Sequence, residues 1–194
     1  MNIAIYVYED AEVLDFSGPF EVFSTASRIS HDQPFEVFLV AETADVVKAR
    51  GAFKVLPDYG FETHPAVDVL IVVGGDHSRE INKPQVISWI ATQAQHAKLV
   101  ASVCTGAFLL AKAGVIITQQ VTTHWQDVDE LQQSFEQLDV LTGVRWVEQG
   151  NIVTSGGISA GIDMSLHLVA RLHSQQLAER TARQMEFLWL TNNE

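Results

Sequence analysis

The chain reads as a three-layer α/β sandwich with a mostly parallel sheet. Three observations carry that reading. Short continuous apolar runs, Ile3–Tyr8 and Val67–Val73 above all, are bounded by turn residues, as strands buried on both faces are. Helical patterns lie between these runs, the alternation that builds parallel crossovers. A third run, Lys98–Val103, ends in Cys104-Thr105-Gly106 and passes at once into the helix-like Ala107–Ala113, which marks a sharp strand-to-helix bend.

Taken in order, Ile3–Tyr8 is the first strand. A helix opens in Leu14-Asp15-Phe16-Ser17-Gly18-Pro19 and runs through about Ser27, with Pro19 placed near its first turn, where a missing N–H costs little. Phe35–Ala41 is a second strand. Segment 44–62, with Gly51, Pro57 and Gly60, predicts a short hairpin or meander. Val67–Val73 is the clearest core strand and stops at Gly74-Gly75-Asp76. A helix over Pro84–Gln95 leads to the strand and helix around Cys104. Val115–Thr123 is strand-like, and Gln126–Glu136 is a polar amphipathic helix whose Asp127–Glu130 run reads as a solvated face. Val144–Val147 and Asn151–Ser155 pair around Gln149-Gly150. Gly156-Gly157 precedes a helix through about Leu172, and a last helix covers Gln175–Trp189. No linker or repeat interrupts the 194 residues, so a single domain over 1–194 is expected.

The composition bounds the function. A formal charge of -12 and the lack of a basic stripe argue against a nucleic-acid partner. The N-terminus has no basic region or cleavage site of a signal peptide, and no apolar run approaches the ~18 residues of a membrane span. A lone cysteine cannot form an intrachain disulfide, which fits a reducing compartment. A cytoplasmic protein without a membrane partner is the expectation. Gly156-Gly157 belongs to neither a GxGxxG nor a P-loop lysine pattern, which disfavours nucleotide binding. Histidines 31, 64, 77, 96, 167 and 173 show no metal-ligand spacing and read as surface or loop residues.

Chemistry gathers at three strand ends, since ligand sites of open α/β sheets lie outside the carboxyl edge. Cys104 at its bend faces the N–H groups of a helix start, which favour the reactive thiolate. Gly74-Gly75 lets backbone amides approach a ligand, and the amides of Gly75 and Thr105 together suit an oxyanion hole. Asp15 follows the first strand. An ionised carboxylate there would raise the thiol pKa, so activation of Cys104 requires a protonated Asp15 that donates to sulfur. Phe16, Phe20, Trp125 and Ile158 are candidate walls of the pocket.

The Gly74-Gly75 turn, the Cys104 elbow, Thr122-Thr123-His124-Trp125 and Ser155–Asp163 resemble, in this order, the ThiJ/PfpI superfamily of class I glutamine-amidotransferase-like proteins. Leu14–Phe23 together with Cys104-Thr105-Gly106 is similar to isonitrile hydratases and to the sensor domain of AraC-type regulators. The resemblance implies a flavodoxin-like sandwich, a cysteine nucleophile (Cys104), an acid beside it (Asp15), backbone donors at Gly75 and Thr105, and a homodimer. Threonine stands directly after the nucleophile, where peptidase-like members have histidine, so a protease reading loses its nearest base. His124 takes a secondary place, and Gly74, His124, Trp125 and Ile158 are the expected substrate contacts.

The function implied is a cysteine-dependent hydratase or lyase that turns an isonitrile into an N-substituted formamide. It needs no metal and no organic cofactor, and its partner is a small-molecule substrate. Two rivals stand beside it: a sensor that binds a metabolite without turnover, and a glyoxalase-like or redox stress protein. A complete transcription factor is disfavoured, because the chain reaches Glu194 without a basic helix-turn-helix region.

Overall fold

The computed structural model describes residues 1–190. Its first strand, β1 (Asn2–Tyr6), is followed by α1 (Val13–Ile29) and β2 (Glu36–Ala41). A small antiparallel hairpin, β3 (Val47–Ala49) with β4 (Phe53–Val55), precedes the two-residue β5 (Tyr59–Gly60). Then come β6 (Val69–Val72), α2 (Pro84–His96), β7 (Leu99–Val103) and α3 (Gly106–Lys112). The last third holds β8 (Gln120–Val121), α4 (Val128–Ser134), β9 (Asp139–Val140), β10 (Trp146–Gln149), β11 (Ile152–Ser155), α5 (Ala160–Leu172) and α6 (Gln175–Gln184).

Seven strands form one sheet in the order β10-β11-β7-β6-β1-β2-β5. Every pairing is parallel except β10 with β11. The central strands are continuous apolar runs because helices cover both faces; β6 and β7 are buried along their whole length. Helices α1, α5 and α6 pack on one another, and α2 packs with α3. The result is the flavodoxin-like α/β sandwich that the sequence predicts.

From β1 the chain winds outward to β2, then returns to β6 and continues the other way through β7 and β11. The strand order therefore reverses between β1 and β6, where an open sheet parts at its carboxyl edge and leaves a crevice. Asp15 follows β1, Gly74-Gly75 follow β6, and Cys104 follows β7. Topology alone brings the three to one place.

Several boundaries differ from expectation. Helix α1 starts at Val13, so Pro19 lies inside it rather than near its first turn. The start is set earlier because the Glu12 amide is anchored on the Gly74 carbonyl at 2.9 Å. Most of Val115–Thr123 is not strand, because Gln119 Oε1 caps the amides of Ile117 (2.6 Å) and Thr118 (3.0 Å). Helix α6 stops at Gln184, five residues short. Glu186 turns left-handed (φ 51), and the Phe187 amide reaches the Ala182 carbonyl at 2.9 Å, a Schellman closure.

Candidate active site

The elbow is held from several sides. Cys104 takes φ 56, a left-handed conformation that a non-glycine residue adopts only when its surroundings over-determine it. Its amide donates to the Ser155 carbonyl at 3.1 Å, and its carbonyl accepts from Thr123 Oγ1 at 2.8 Å. Directly behind, Gly106 leaves room for the strand below. A Cβ there would sit 2.1 Å from the Val72 carbonyl oxygen. Helix α3 can begin this close to β6 only with glycine at that position.

Asp15, in the first turn of α1, is fully buried and makes no capping bond. Its Oδ2 accepts the Gly74 amide at 3.1 Å, and its Oδ1 has no hydrogen-bond partner among the described residues. The carboxyl faces the Cys104 thiol. The two groups are close enough for each to shift the other's titration. Burial pushes Asp15 up to about 7; Glu12 adds to the rise, while the Gly74 amide and the thiol oppose it. Burial also lifts the Cys104 thiol well above its usual range. The Asp15 charge raises it further, and the Thr105 amide partly offsets this.

A raised Asp15 meets the expectation of a protonatable acid, while the raised thiol departs from the expectation of a thiolate. The helix start is outweighed by burial and by the neighbouring carboxylate.

The expected pair of free amide donors also differs. The Gly75 amide donates to Thr105 Oγ1 at 3.0 Å, and that hydroxyl donates back to the Gly75 carbonyl at 2.9 Å. The Thr105 amide faces sulfur. The Thr105 side chain thus closes the β6 turn against the elbow. Gly74 lies behind, where a Cβ would meet the Thr105 nitrogen at 2.5 Å and Cys104 Cβ at 2.8 Å. It is a spacer that lets the turn touch the elbow, and it does not line the cleft.

Above Cys104 opens a cleft of about 440 Å³, a size suited to a small molecule. Gly75, Thr105, His124 and Ile158 line it, as expected. His124 Nδ1 lies 3.2 Å from Asp127 Oδ2, and Ile158, a β-branched residue, is held at φ 30. Trp125 does not line it. That side chain is 77% exposed and borders a separate hollow, because the Asp127 amide turns back to the His124 carbonyl and swings the indole outward. Phe16 is buried in the core, and Phe20 packs partly buried against it, so neither forms a wall.

Sequence reasoning missed most of the polar lining: Glu12, Arg50, Asp76, His77, Gln126 and Asp127. His77 is no free surface residue. Its ring stacks on Phe108 with centroids 4.4 Å apart, and burial lowers its pKa. Asp127 belongs to the cleft rather than to a solvated helix face. Proximity in sequence to Gly75 or His124 was a usable signal for Asp76, His77, Gln126 and Asp127. Arg50 enters from the β3–β4 hairpin, which nothing local in the sequence announces.

A sheet that reverses order beside a cysteine elbow, with a buried carboxyl under the sulfur, defines a class: α/β proteins with a nucleophile-elbow site. The chain belongs to the DJ-1/PfpI family, whose profile matches residues 1–171. It is 31% identical over 188 residues to an isonitrile hydratase of Pseudomonas putida, covering 96% of this chain and 78% of that protein. It is 25% identical over 177 residues to the HTH-type transcriptional regulator GbdR of Pseudomonas aeruginosa, but spans only 48% of that regulator's length. Among solved structures, a ThiJ/PfpI family protein from Pseudomonas syringae superposes with a TM-score of 0.86 at 29% identity, over 96% of this chain and 74% of that one. Drosophila melanogaster DJ-1beta superposes at 0.83 with 18% identity, over 97% and 98%, a likeness of fold. Among the described residues no helix is long and apolar enough to cross a membrane.

Proposed function

We propose that the protein is a cysteine-dependent hydratase that converts an isonitrile into an N-substituted formamide. The observation that carries this reading is the buried Asp15–Cys104 pair, in which one group titrates near neutrality and the other holds a transferable proton. The likeness to an isonitrile hydratase over nearly the whole chain supports it.

The Asp15 carboxylate takes the thiol proton as Cys104 Sγ bonds to the terminal isonitrile carbon, and it delivers that proton to the same carbon. The product is a thioimidate on Cys104, with Asp15 again ionised. Water adds to the carbon, one of its protons passing through Asp15 to nitrogen. The carbon–sulfur bond then breaks, the hydroxyl proton returns to sulfur, and the formamide leaves. The Thr105 amide, directed at sulfur, steadies the charge that develops there in both halves of the reaction. A protein with a proton on sulfur at rest needs such a base, because a thiol is a poor nucleophile.

Incubation with cyclohexyl isocyanide, followed by detection of N-cyclohexylformamide, tests the reading. Product from the wild type and none from Cys104→Ala is the expected result. No product from the wild type, or undiminished product from Cys104→Ala, overturns it. Saturable binding without product points instead to a sensor, a reading favoured by the match of this chain to about half of the GbdR regulator.

A further inference from the structure

The hydration steps above give Asp15 every proton but one. Asp15 is fully buried and does not line the cleft, yet water approaches a carbon bonded to sulfur from the cleft side. The hydroxyl proton that must leave when the carbon–sulfur bond breaks still lacks a carrier. Such a carrier has to face the cleft and hold a free lone pair.

Most polar groups of the lining are already engaged. Glu12 Oε2 lies 3.5 Å from Arg50 Nη1. Asp76 accepts from the Ser78 amide (3.1 Å) and hydroxyl (2.7 Å), which hold it below the ordinary carboxylate range and make it a weak base. His124 Nδ1 is met by the Gln126 amide at 3.3 Å and lies 3.2 Å from Asp127 Oδ2. The other edge of that ring is set against Gly157, where a Cβ would sit 2.2 Å from Cδ2 and 3.3 Å from Nε2.

His77 is placed differently. Two links fix it to the elbow. Gly75, two residues earlier, is tied to Thr105 by bonds of 3.0 and 2.9 Å. The imidazole itself stacks on Phe108, four residues past Cys104, with centroids 4.4 Å apart and planes 29° from parallel. Phe108 thus covers a face of the ring and leaves its nitrogen-bearing edge uncovered. Burial lowers the His77 pKa against the opposing pull of Glu130, Asp127, the Gly75 backbone and Asp76, so a neutral ring with one lone pair stands in the cleft. The same three carboxylates steady an imidazolium formed in passing.

We infer that His77 is a second catalytic residue of the hydration, the base on the cleft side of sulfur. Its lone pair accepts a hydrogen bond from the incoming water and aims the oxygen at the thioimidate carbon. When the carbon–sulfur bond breaks, the bonding pair goes to Sγ. The imidazole takes the hydroxyl proton as the formamide carbonyl forms, and the imidazolium hands that proton to Sγ. Thiol and neutral imidazole are both restored, and no further reactant is consumed. Asp15 serves the attack and the proton to nitrogen from behind sulfur; His77 serves the water and the release from in front. The inference rests on the hydratase reading, which it deepens.

The test separates the two halves of the reaction with cyclohexyl isocyanide. His77→Phe keeps a ring to stack on Phe108 and removes both nitrogens, so attack is left intact while release slows. Formamide production is expected to fall by about a hundredfold. Intact-mass spectrometry is expected to show an adduct heavier by one isonitrile building up on Cys104, the only cysteine, well above its level in the wild type. In His77→Ala, which opens a space beside Phe108, added imidazole is expected to raise turnover by about tenfold. Wild-type turnover in His77→Phe overturns the assignment, as does a loss with neither adduct in that variant nor imidazole rescue in His77→Ala. Either result leaves the hydratase standing as long as the wild type makes formamide. No formamide from the wild type removes the hydratase and this inference with it.

Discussion

The Asp15 carboxyl lies against the Cys104 thiol with one oxygen tied to the Gly74 amide at 3.1 Å and the other left without a partner. A buried oxygen in that position is costly unless it has chemistry to perform. The cost is visible in the acid itself, pushed up to about 7 by its removal from water. Proton transfer between sulfur and carboxylate relieves that demand at the moment of attack.

Replacing Asp15 by Asn keeps an acceptor for the Gly74 amide but removes the base. Formamide production is expected to fall by about a hundredfold or more, carried by kcat with KM little changed. Retention of wild-type turnover would remove Asp15 from the mechanism.

The same carboxyl makes a prediction about stability. Its folded pKa of about 7 lies above the ordinary 3.8, so between these values the folded chain holds a proton that the unfolded chain has lost. Stability from this group is therefore present at low pH and lost as pH rises through that window, by up to about 4 kcal/mol. Urea unfolding at pH 5 and pH 8 should show a fall in the wild type that is reduced in Asp15→Asn. An equal fall in both proteins would contradict the assignment.

Thr105 joins the elbow to the β6 turn through two hydrogen bonds to Gly75, of 3.0 and 2.9 Å. Thr105→Val abolishes both and is expected to cost about 1–2 kcal/mol in chemical denaturation, whereas Thr105→Ser stays within about 0.5 kcal/mol of wild type. Equal losses in the two variants would mean that packing, not the hydroxyl, holds the turn.

Gly106→Ala places a methyl 2.1 Å from the Val72 carbonyl oxygen, a backbone atom that cannot swing away. A loss of about 3 kcal/mol or more is expected, along with a disturbed Cys104. A variant of wild-type stability would mean that α3 can lift from β6 freely.

The sheet was legible because its strands are buried on both faces, and such strands must be written as unbroken apolar runs. Val69–Val72 is such a run, and Leu99–Val103 departs from it only at the buried Ser102. The meeting of Asp15, Gly75 and Cys104 was legible for a topological reason, since all three follow strands at one edge. Charge balance was not legible. Whether Cys104 holds its proton depends on burial and on the orientation of one carboxyl, and neither is written in local sequence. The same holds for Trp125, adjacent to a cleft residue yet turned outward, and for Arg50, delivered by a hairpin whose docking depends on long-range contacts. The Gly75 amide was misjudged because the Thr105 hydroxyl, one side chain away, occupies it.

Titration of the Cys104 thiol, followed by thiolate absorbance near 240 nm in wild type and Asp15→Asn, tests the pair most directly. The wild-type thiol is expected to ionise well above the ordinary cysteine range and to drop on removal of the carboxylate, even as turnover collapses. A wild-type thiol ionising below that range, and rising when Asp15 becomes Asn, would contradict the account.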